Sequence, residues 1–200
     1  MHAYRTFDIV WPHQTIIKRE SMTSMIELRI TLEDTEPAVW RKILVPQTIS
    51  LENLHYVVQM AMGWENDHLY SFTINKKEYG EGDEDGFGEL PRSLKTRLGK
   101  CLLGVDEFSY LYDFGDNWEH RIEVIGFADH PQGLSTPLCT DGENACPPED
   151  CGGAGGFHEI KRALKQKRSK KNAELLEWVR DYDPKVFQVE KVNRAIQLNS

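Results

Sequence analysis

A strict alternation of apolar and polar residues over 26–33 constrains the fold more than any other part of the sequence. Isoleucine or leucine stands at every second position of this stretch, with charged or hydroxyl side chains between, which is the period of a strand with one buried face. Turn-forming residues follow at 34–37, and the β-rich run of residues 39–45 ends at Pro46. The ordered chain therefore begins with a β-hairpin.

Helical spacing replaces the alternation after the hairpin. Ser50 is a suitable N-cap, apolar residues recur at helical intervals from Leu51 to Ala61, and Gly63 ends the pattern. Strand patterns return at 68–75 and later in the chain. The order strand, strand, helix, strand is typical of a mixed α and β domain.

The second half of the sequence predicts more strands and then helices. Residues 108–112 and 118–125 read as strands joined by a turn at 113–117, and a Gly/Pro-rich connection covers 126–156. Helical spacing follows, and Pro184 is expected to begin the last helix. The predicted fold class is α+β, with a small antiparallel or mixed sheet, one helix after the first hairpin and a C-terminal helical segment.

Length and charge limit the number of domains and the partners. The chain has 200 residues and a net charge of -8, which fits one domain over residues 25–200 and opposes attraction of the whole protein to DNA or anionic lipid. We expect residues 1–24 to form an extension that is disordered or the product of a mis-assigned start, or else an arm that packs on the domain. No apolar run is long enough for a membrane helix, so a cytoplasmic protein without a membrane partner is expected.

Two short blocks concentrate aromatic, acidic and metal-binding residue types. They are YLYDFGDNWEH at 110–120 and CPPEDCGG at 146–153, and together they predict one site. In the turn we expect a positive φ at Gly115 and hydrogen bonds from turn amides to the adjacent carboxylates. A functional alternative directs the turn carboxylates and a histidine into one pocket roofed by a tryptophan. The candidate site residues are His68, Asp113, Asp116, Trp118, His120, Glu149 and Asp150.

The cysteines predict a zinc site. Cys139, Cys146 and Cys151 lie within thirteen positions, so one imidazole would complete a tetrahedral set. His120 is favoured over His158 for that role because it belongs to the other distinctive block. Buried free thiols or an oxidised pair are the alternatives to zinc.

A basic segment indicates a nucleic-acid contact. Seven of the eleven residues in 161–171 are Lys or Arg, a density that suits phosphate binding and also suits a solvated helix end. The candidate residues are Lys161, Arg162, Lys165, Arg168 and Lys171.

Longer stretches of the chain resemble a known family. These are PAVWRKILVP at 37–46, MGWENDHLYSF at 62–72, YLYDFGDNWEHRIEV at 110–124, CTDGENACPPEDCGGAGGF at 139–157 and LEWVRDYDPKVFQVEKVN at 176–193. The chain is similar over about residues 25–195 to the Ri-plasmid (pRiA) open-reading-frame-three-like family. The resemblance implies a compact α+β unit and no established activity, and some members carry TnpR-type resolvase or repressor labels.

The motifs exclude some functions. The Asp-Phe-Gly of residues 113–115 has neither the strand lysine nor the catalytic loop of a kinase, and no G-x-S-x-G motif is present. We predict a binding or structural module, associated with DNA or mobile elements, rather than an enzyme. The alternative is a metal-dependent hydrolase or nuclease that uses the carboxylates of the two blocks. A closed site of cysteines and histidine would indicate structure, and an open site of carboxylates and histidine would indicate catalysis.

Overall fold

The predicted hairpin forms two interior strands of a seven-stranded antiparallel sheet in the computed structural model, which describes residues 23–80, 92–130 and 136–199. The sheet has the order β4-β3-β5-β6-β1-β2-β7. Its strands are β1 (Thr23–Leu32), β2 (Val39–Pro46), β3 (Tyr70–Ile74), β4 (Lys77–Gly80), β5 (Glu107–Tyr112), β6 (Trp118–His130) and β7 (Leu138–Glu143). The α+β prediction is confirmed, and the sheet is larger than the sequence suggested.

Five helices accompany the sheet in the described segments. They are α1 (Leu51–Met62), α2 (Leu98–Cys101), α3 (Gly153–Lys165), α4 (Ala173–Trp178) and α5 (Val189–Leu198). The predicted limits of α1 are confirmed: the Ser50 side chain accepts a hydrogen bond from the amide of Asn53, and Gly63 takes the left-handed C-cap conformation with φ of 88°. Helix α5 packs on α1 and on β7. No helix in these segments is long and apolar enough to cross a membrane.

Two details of the second half differ from the prediction. The predicted connection 126–156 contains the end of β6 and all of β7. The sequence of β7 has weak strand propensity, but this segment forms a strand because it pairs with the free edge of β2. Pro184 does not begin a helix; the Asp183 side chain accepts a hydrogen bond from the amide of Lys185 and closes a local turn instead. The last helix starts at Val189.

The core lies between the inner face of the sheet and the helices. In β2 the residues Val39, Arg41, Ile43 and Val45 are buried and alternate with more exposed neighbours. An arginine therefore occupies a core position, in phase with three apolar side chains. The proposed extension at 1–24 lies, apart from its last two residues, outside the described residues, and the domain limit there stays a prediction.

Trp118 provides a test of the packing. Its side chain is 2% exposed at the start of β6, so we expect Trp118→Ala to lower the free energy of unfolding by ~3 to 5 kcal/mol. Trp178, which is 53% exposed, is the matched control, and Trp178→Ala should cost less than ~1 kcal/mol. Urea denaturation measures both values; equal losses in the two variants would contradict the assigned burial.

Candidate functional site

The two sequence blocks meet through one glutamate. The cysteine loop (residues 144–152) connects β7 to α3, and the Trp64 loop (residues 63–69) connects α1 to β3. Glu149 accepts a 2.6 Å hydrogen bond from the hydroxyl of Tyr112 and a 2.7 Å hydrogen bond from the amide of Glu65. Trp64 donates from its indole nitrogen to the carbonyl of Pro147 at 2.9 Å. These hydrogen bonds fix the cysteine loop against β5 and the Trp64 loop.

The turn at 113–117 is built differently from the prediction. The residues with positive φ are Asp113 (55°) and Asn117 (56°), and Gly115 is not among them. A Cβ at Gly115 would lie 3.1 Å from the Asp113 carboxylate, which is a tight contact. The amides of Gly115 and Asp116 both donate to Oδ1 of Asp113, which confirms that this carboxylate organises the turn.

Asp116 joins the turn to the start of α3. Its Oδ2 accepts a 3.1 Å hydrogen bond from the amide of Gly152, so it does not bond to a turn amide. The glycine run that follows Cys151 permits a close approach of two chain segments. A Cβ at Gly153 would lie 2.5 Å from the carbonyl oxygen of Asp116, and one at Gly156 would lie 1.6 Å from that of Cys151.

Three of the candidate residues place their ligand atoms together. His68 Nε2 lies 3.2 Å from Oδ1 of Asp150 and 3.7 Å from Oδ2 of Asp113. All three ligand atoms lie within 4.8 Å of one another. No other group of three or more His, Cys, Asp or Glu residues in the described part of the chain meets this distance. Asp113 is buried, whereas His68 is partly exposed and Asp150 faces solvent.

A cavity of 780 Å³ lies beside this group. His68, Glu149 and Asp150 belong to its rim, and the end of α1, the cysteine loop, α4 and the beginning of α5 form its walls. Trp118 and His120 do not line it: both side chains are in the core, where they are 2% and 0% exposed. The structure therefore does not show a pocket that Trp118 covers and that Asp113, Asp116 and His120 share.

His120 is held by the backbone of the sheet. Its Nδ1 lies 3.0 Å from the carbonyl oxygen of Trp118 and 3.3 Å from that of Tyr110, and its Nε2 has no hydrogen-bond partner among the described residues. Burial lowers the pKa of His120 to about 4. The ring is neutral near pH 7, in contact with Trp64 and Tyr110.

The cysteines do not converge with His120. All the described cysteines are free thiols. The three sulfur atoms of Cys139, Cys146 and Cys151 do not all lie within 4.8 Å of one another. No two of them form such a group with a ring nitrogen of His120 either. Cys139 and Cys151 donate to nearby carbonyls of Asp141 and Gly153. Burial raises the pKa of Cys146 to about 12 and those of Cys139 and Cys151 to about 11, which favours neutral thiols. Zinc binding by this set stays a prediction.

The basic segment is partly neutralised. Arg162 pairs with Glu159 and Arg168 with Glu177, and Lys161 donates to the carbonyl of Glu36. For Lys165 and Lys171 the described residues supply no acidic partner. Nucleic-acid binding by this segment stays a prediction.

A second histidine, His55, lies in a buried polar network. Gln59 donates to the hydroxyl of Tyr110 at 2.9 Å, the hydroxyl lies 2.7 Å from Nδ1 of His55, and Nε2 of His55 pairs with Oδ1 of Asn66. The chain of partners fits a neutral ring with its proton on Nε2. Burial lowers the pKa of His55 to about 4. His55 thus orients the Trp64 loop through Asn66.

Sequence reasoning missed the contributions of Arg41, Trp64 and Tyr112. All three lie inside the stretches that carried the family resemblance. The signal for Arg41 was its position, because it alternates in phase with the apolar residues of β2. An arginine at a buried position of a strand requires polar partners.

The antiparallel sheet, the cavity and the three-donor group define an α+β protein with a pocket at the junction of the Trp64 and cysteine loops. The same fold occurs in the crystal structure of a protein of unknown function, MM3350 from Methanosarcina mazei Go1. Its TM-score is 0.75 and its identity 29%, over 85% of this chain and 98% of that chain.

The chain belongs to the family described as plasmid pRiA4b ORF-3-like protein, whose model matches residues 24–191. A curated relative, the uncharacterized protein y4hQ of Sinorhizobium fredii (strain NBRC 101917 / NGR234), is 38% identical over 180 residues. The match covers 88% of this chain and 92% of the relative. The family resemblance found from the motifs is thereby confirmed.

The two buried histidines predict a pH dependence of stability. Both have a folded pKa of about 4, below the ~6.5 of an unfolded chain, so the unfolded state binds more protons between these values. Their contribution is complete above ~pH 6.5 and is lost as the pH falls toward 4. From pH 7 to 5 each histidine should remove about 2 kcal/mol from the free energy of unfolding.

Urea denaturation at pH 7, 6 and 5 measures this loss, in a range where most carboxylates are not yet protonated. His120→Asn keeps a donor near the carbonyls of Tyr110 and Trp118 and should show about half of the pH dependence. A free energy of unfolding that is unchanged from pH 7 to 5 would show that these rings are not held neutral.

Proposed function

We propose that the protein is a binding module whose ligand occupies the cavity, with a divalent cation held at the rim by His68, Asp113 and Asp150. The observation that carries the proposal is that His68 and Asp150 belong both to the cavity lining and to the three-donor group. A cation at this position would contact protein on one side and the contents of the cavity on the other.

The spacing of the donors supports a cation of the zinc type. Two ligands about 2.1 Å from a tetrahedral ion lie about 3.4 Å apart, and the observed separations from His68 Nε2 are 3.2 and 3.7 Å. One imidazole and two carboxylates suit zinc or manganese. The Asp113 carboxylate is already oriented by the amides of Gly115 and Asp116 through its other oxygen, as the outer contacts of a metal ligand commonly are.

The open side of the donor group also favours a second candidate, metal-dependent hydrolysis. Three protein donors leave a coordination position for water, as in catalytic zinc sites. The neighbouring groups argue for binding instead, since both oxygens of Glu149 accept hydrogen bonds and His120 is enclosed in the core. We therefore rank binding first. Association with DNA through Lys165 and Lys171 is a separate proposal, which predicts binding that weakens steeply with salt.

Metal titration tests the cation site. We expect zinc to bind the chelator-treated and desalted protein in calorimetry at about one ion per chain. His68→Ala should weaken binding at least about 100-fold, because it removes one of three ligands. Asp150→Asn should also weaken it, whereas His158→Ala, at an exposed histidine of α3, should not.

Cys146→Ser distinguishes the two metal assignments. Zinc that is retained in Cys146→Ser and lost in His68→Ala supports the rim site. The opposite result would place the metal on the cysteines and refute the rim site. Failure of zinc and manganese to bind at all would show that His68 is only an ion-pair partner of the two aspartates.

A further inference from the structure

The wall of the cavity contains a buried arginine. Arg41 is 2% exposed and lines the cavity. Its Nε donates to the carbonyl of Ala61 at 2.8 Å, and its Nη1 donates to the carbonyls of Trp40 and Glu143 at 2.8 and 2.9 Å. The guanidinium also lies over the ring of Phe187, 4.1 Å from the ring centre. The position of the charged group is thus fixed from several sides.

The described residues leave the charge of Arg41 without a counter-ion. In the segments that the structure describes, no carboxylate forms an ion pair with Arg41. The groups that accept its hydrogen bonds are backbone carbonyls, which carry no net charge, and an arginine stays protonated. A buried charge without a counter-ion is costly, so an anion should complete this site.

One end of the guanidinium is free to receive that anion. Nη2 makes no hydrogen bond to any described residue. It is also not fully enclosed, and the cavity is the open space that Arg41 borders. Two N–H groups therefore remain for a ligand.

The rest of the wall is suited to an apolar body. Trp178 and Val186 line the cavity although they are 53% and 50% exposed, and a ligand would cover them. The ring of Phe187 packs tightly against Gly142. A Cβ at position 142 would lie 2.6 Å from this ring, so only glycine fits there. The volume of 780 Å³ is in the range of small-molecule sites, about 300–1,000 Å³.

The rim limits the charge of the ligand. Five acidic residues line the cavity together with one lysine, Lys191, so the acidic groups outnumber it and their field opposes a second negative charge. The acidic residues are Glu65, Asp67, Glu149, Asp150 and Asp181. One guanidinium end with two free N–H groups balances one carboxylate and does not balance a phosphate dianion. A singly charged acid is favoured over a phosphate for this reason.

We propose that the cavity binds a small monocarboxylate with an apolar body, its carboxylate on Nη2 of Arg41 and its apolar part against Trp178, Val186 and Phe187. The inference deepens the proposed binding function by naming the class of ligand. It depends on the cavity and not on the cation at the rim.

The test compares an acid with its neutral analogue. 3-Phenylpropanoate and 3-phenylpropanamide have the same apolar body, and calorimetry and tryptophan fluorescence follow binding because Trp64 and Trp178 line the cavity. We expect the acid to bind at least about 10-fold more tightly than the amide, the value of one charge-assisted hydrogen bond. Arg41→Met should remove that preference.

Trp178→Ala keeps the test valid if Arg41→Met does not fold. It shortens an exposed wall residue and should weaken binding of the acid about 10-fold, whereas Phe127→Ala, at an equally exposed residue of β6 that does not line the cavity, should leave it unchanged. Trp178→Ala should still bind zinc at about one ion per chain, because Trp178 is not one of the three cation donors, so loss of the carboxylate site and loss of the cation site are separable.

Three results would overturn the inference. These are no binding of the acid at millimolar concentration, equal binding of acid and amide, and inorganic phosphate that binds as tightly as the acid. The last result would contradict the argument from charge at the rim.

Discussion

The hydrogen bonds of the Arg41 guanidinium hold together the parts of the molecule that surround the cavity. Its acceptors are carbonyl oxygens of β2, α1 and β7, and its flat face lies on Phe187 from the C-terminal segment. The guanidinium therefore contacts the edge of the sheet, the end of α1 and the chain before α5. Because backbone carbonyls carry only partial charge, these contacts orient the guanidinium without neutralising it. The same residue that fixes the geometry of the cavity thus gives it a positive inner end.

A second set of contacts fixes the part of the wall that the cysteine loop forms. Glu149 joins the cysteine loop to Tyr112 and to the amide of Glu65, and Trp64 joins it to the carbonyl of Pro147. The loop is thus held by hydrogen bonds, and the structure needs no metal on the cysteines to explain its position. The exposed Asp150 carboxylate lies 3.2 Å from His68, whereas Arg41 is buried. Negative charge of the site therefore lies toward solvent, and the guanidinium charge lies inside.

Local signals in the sequence predicted much of the fold. The β1–β2 hairpin, the two caps of α1 and the turn at 113–117 depend on neighbouring residues, and each appears where the pattern placed it. Strand β7 could not be predicted in this way, because it forms by pairing with β2 about a hundred residues earlier in the chain. His120 shows the same limit for the site. It is close to the acidic turn in sequence, but it alternates in phase with Trp118 and Ile122, and this phase points it into the core. The residues that do meet, His68, Asp113 and Asp150, come from three separate segments.

The central claim is that Arg41 presents an unneutralised charge to a ligand in the cavity. A crystal structure of the protein grown with 3-phenylpropanoate measures this most directly. The account predicts a carboxylate oxygen about 2.7–3.0 Å from Nη2 of Arg41, with the phenyl ring against Trp178 and Phe187. A carboxylate bound elsewhere, or a protein carboxylate paired with Nη2 of Arg41, would contradict it.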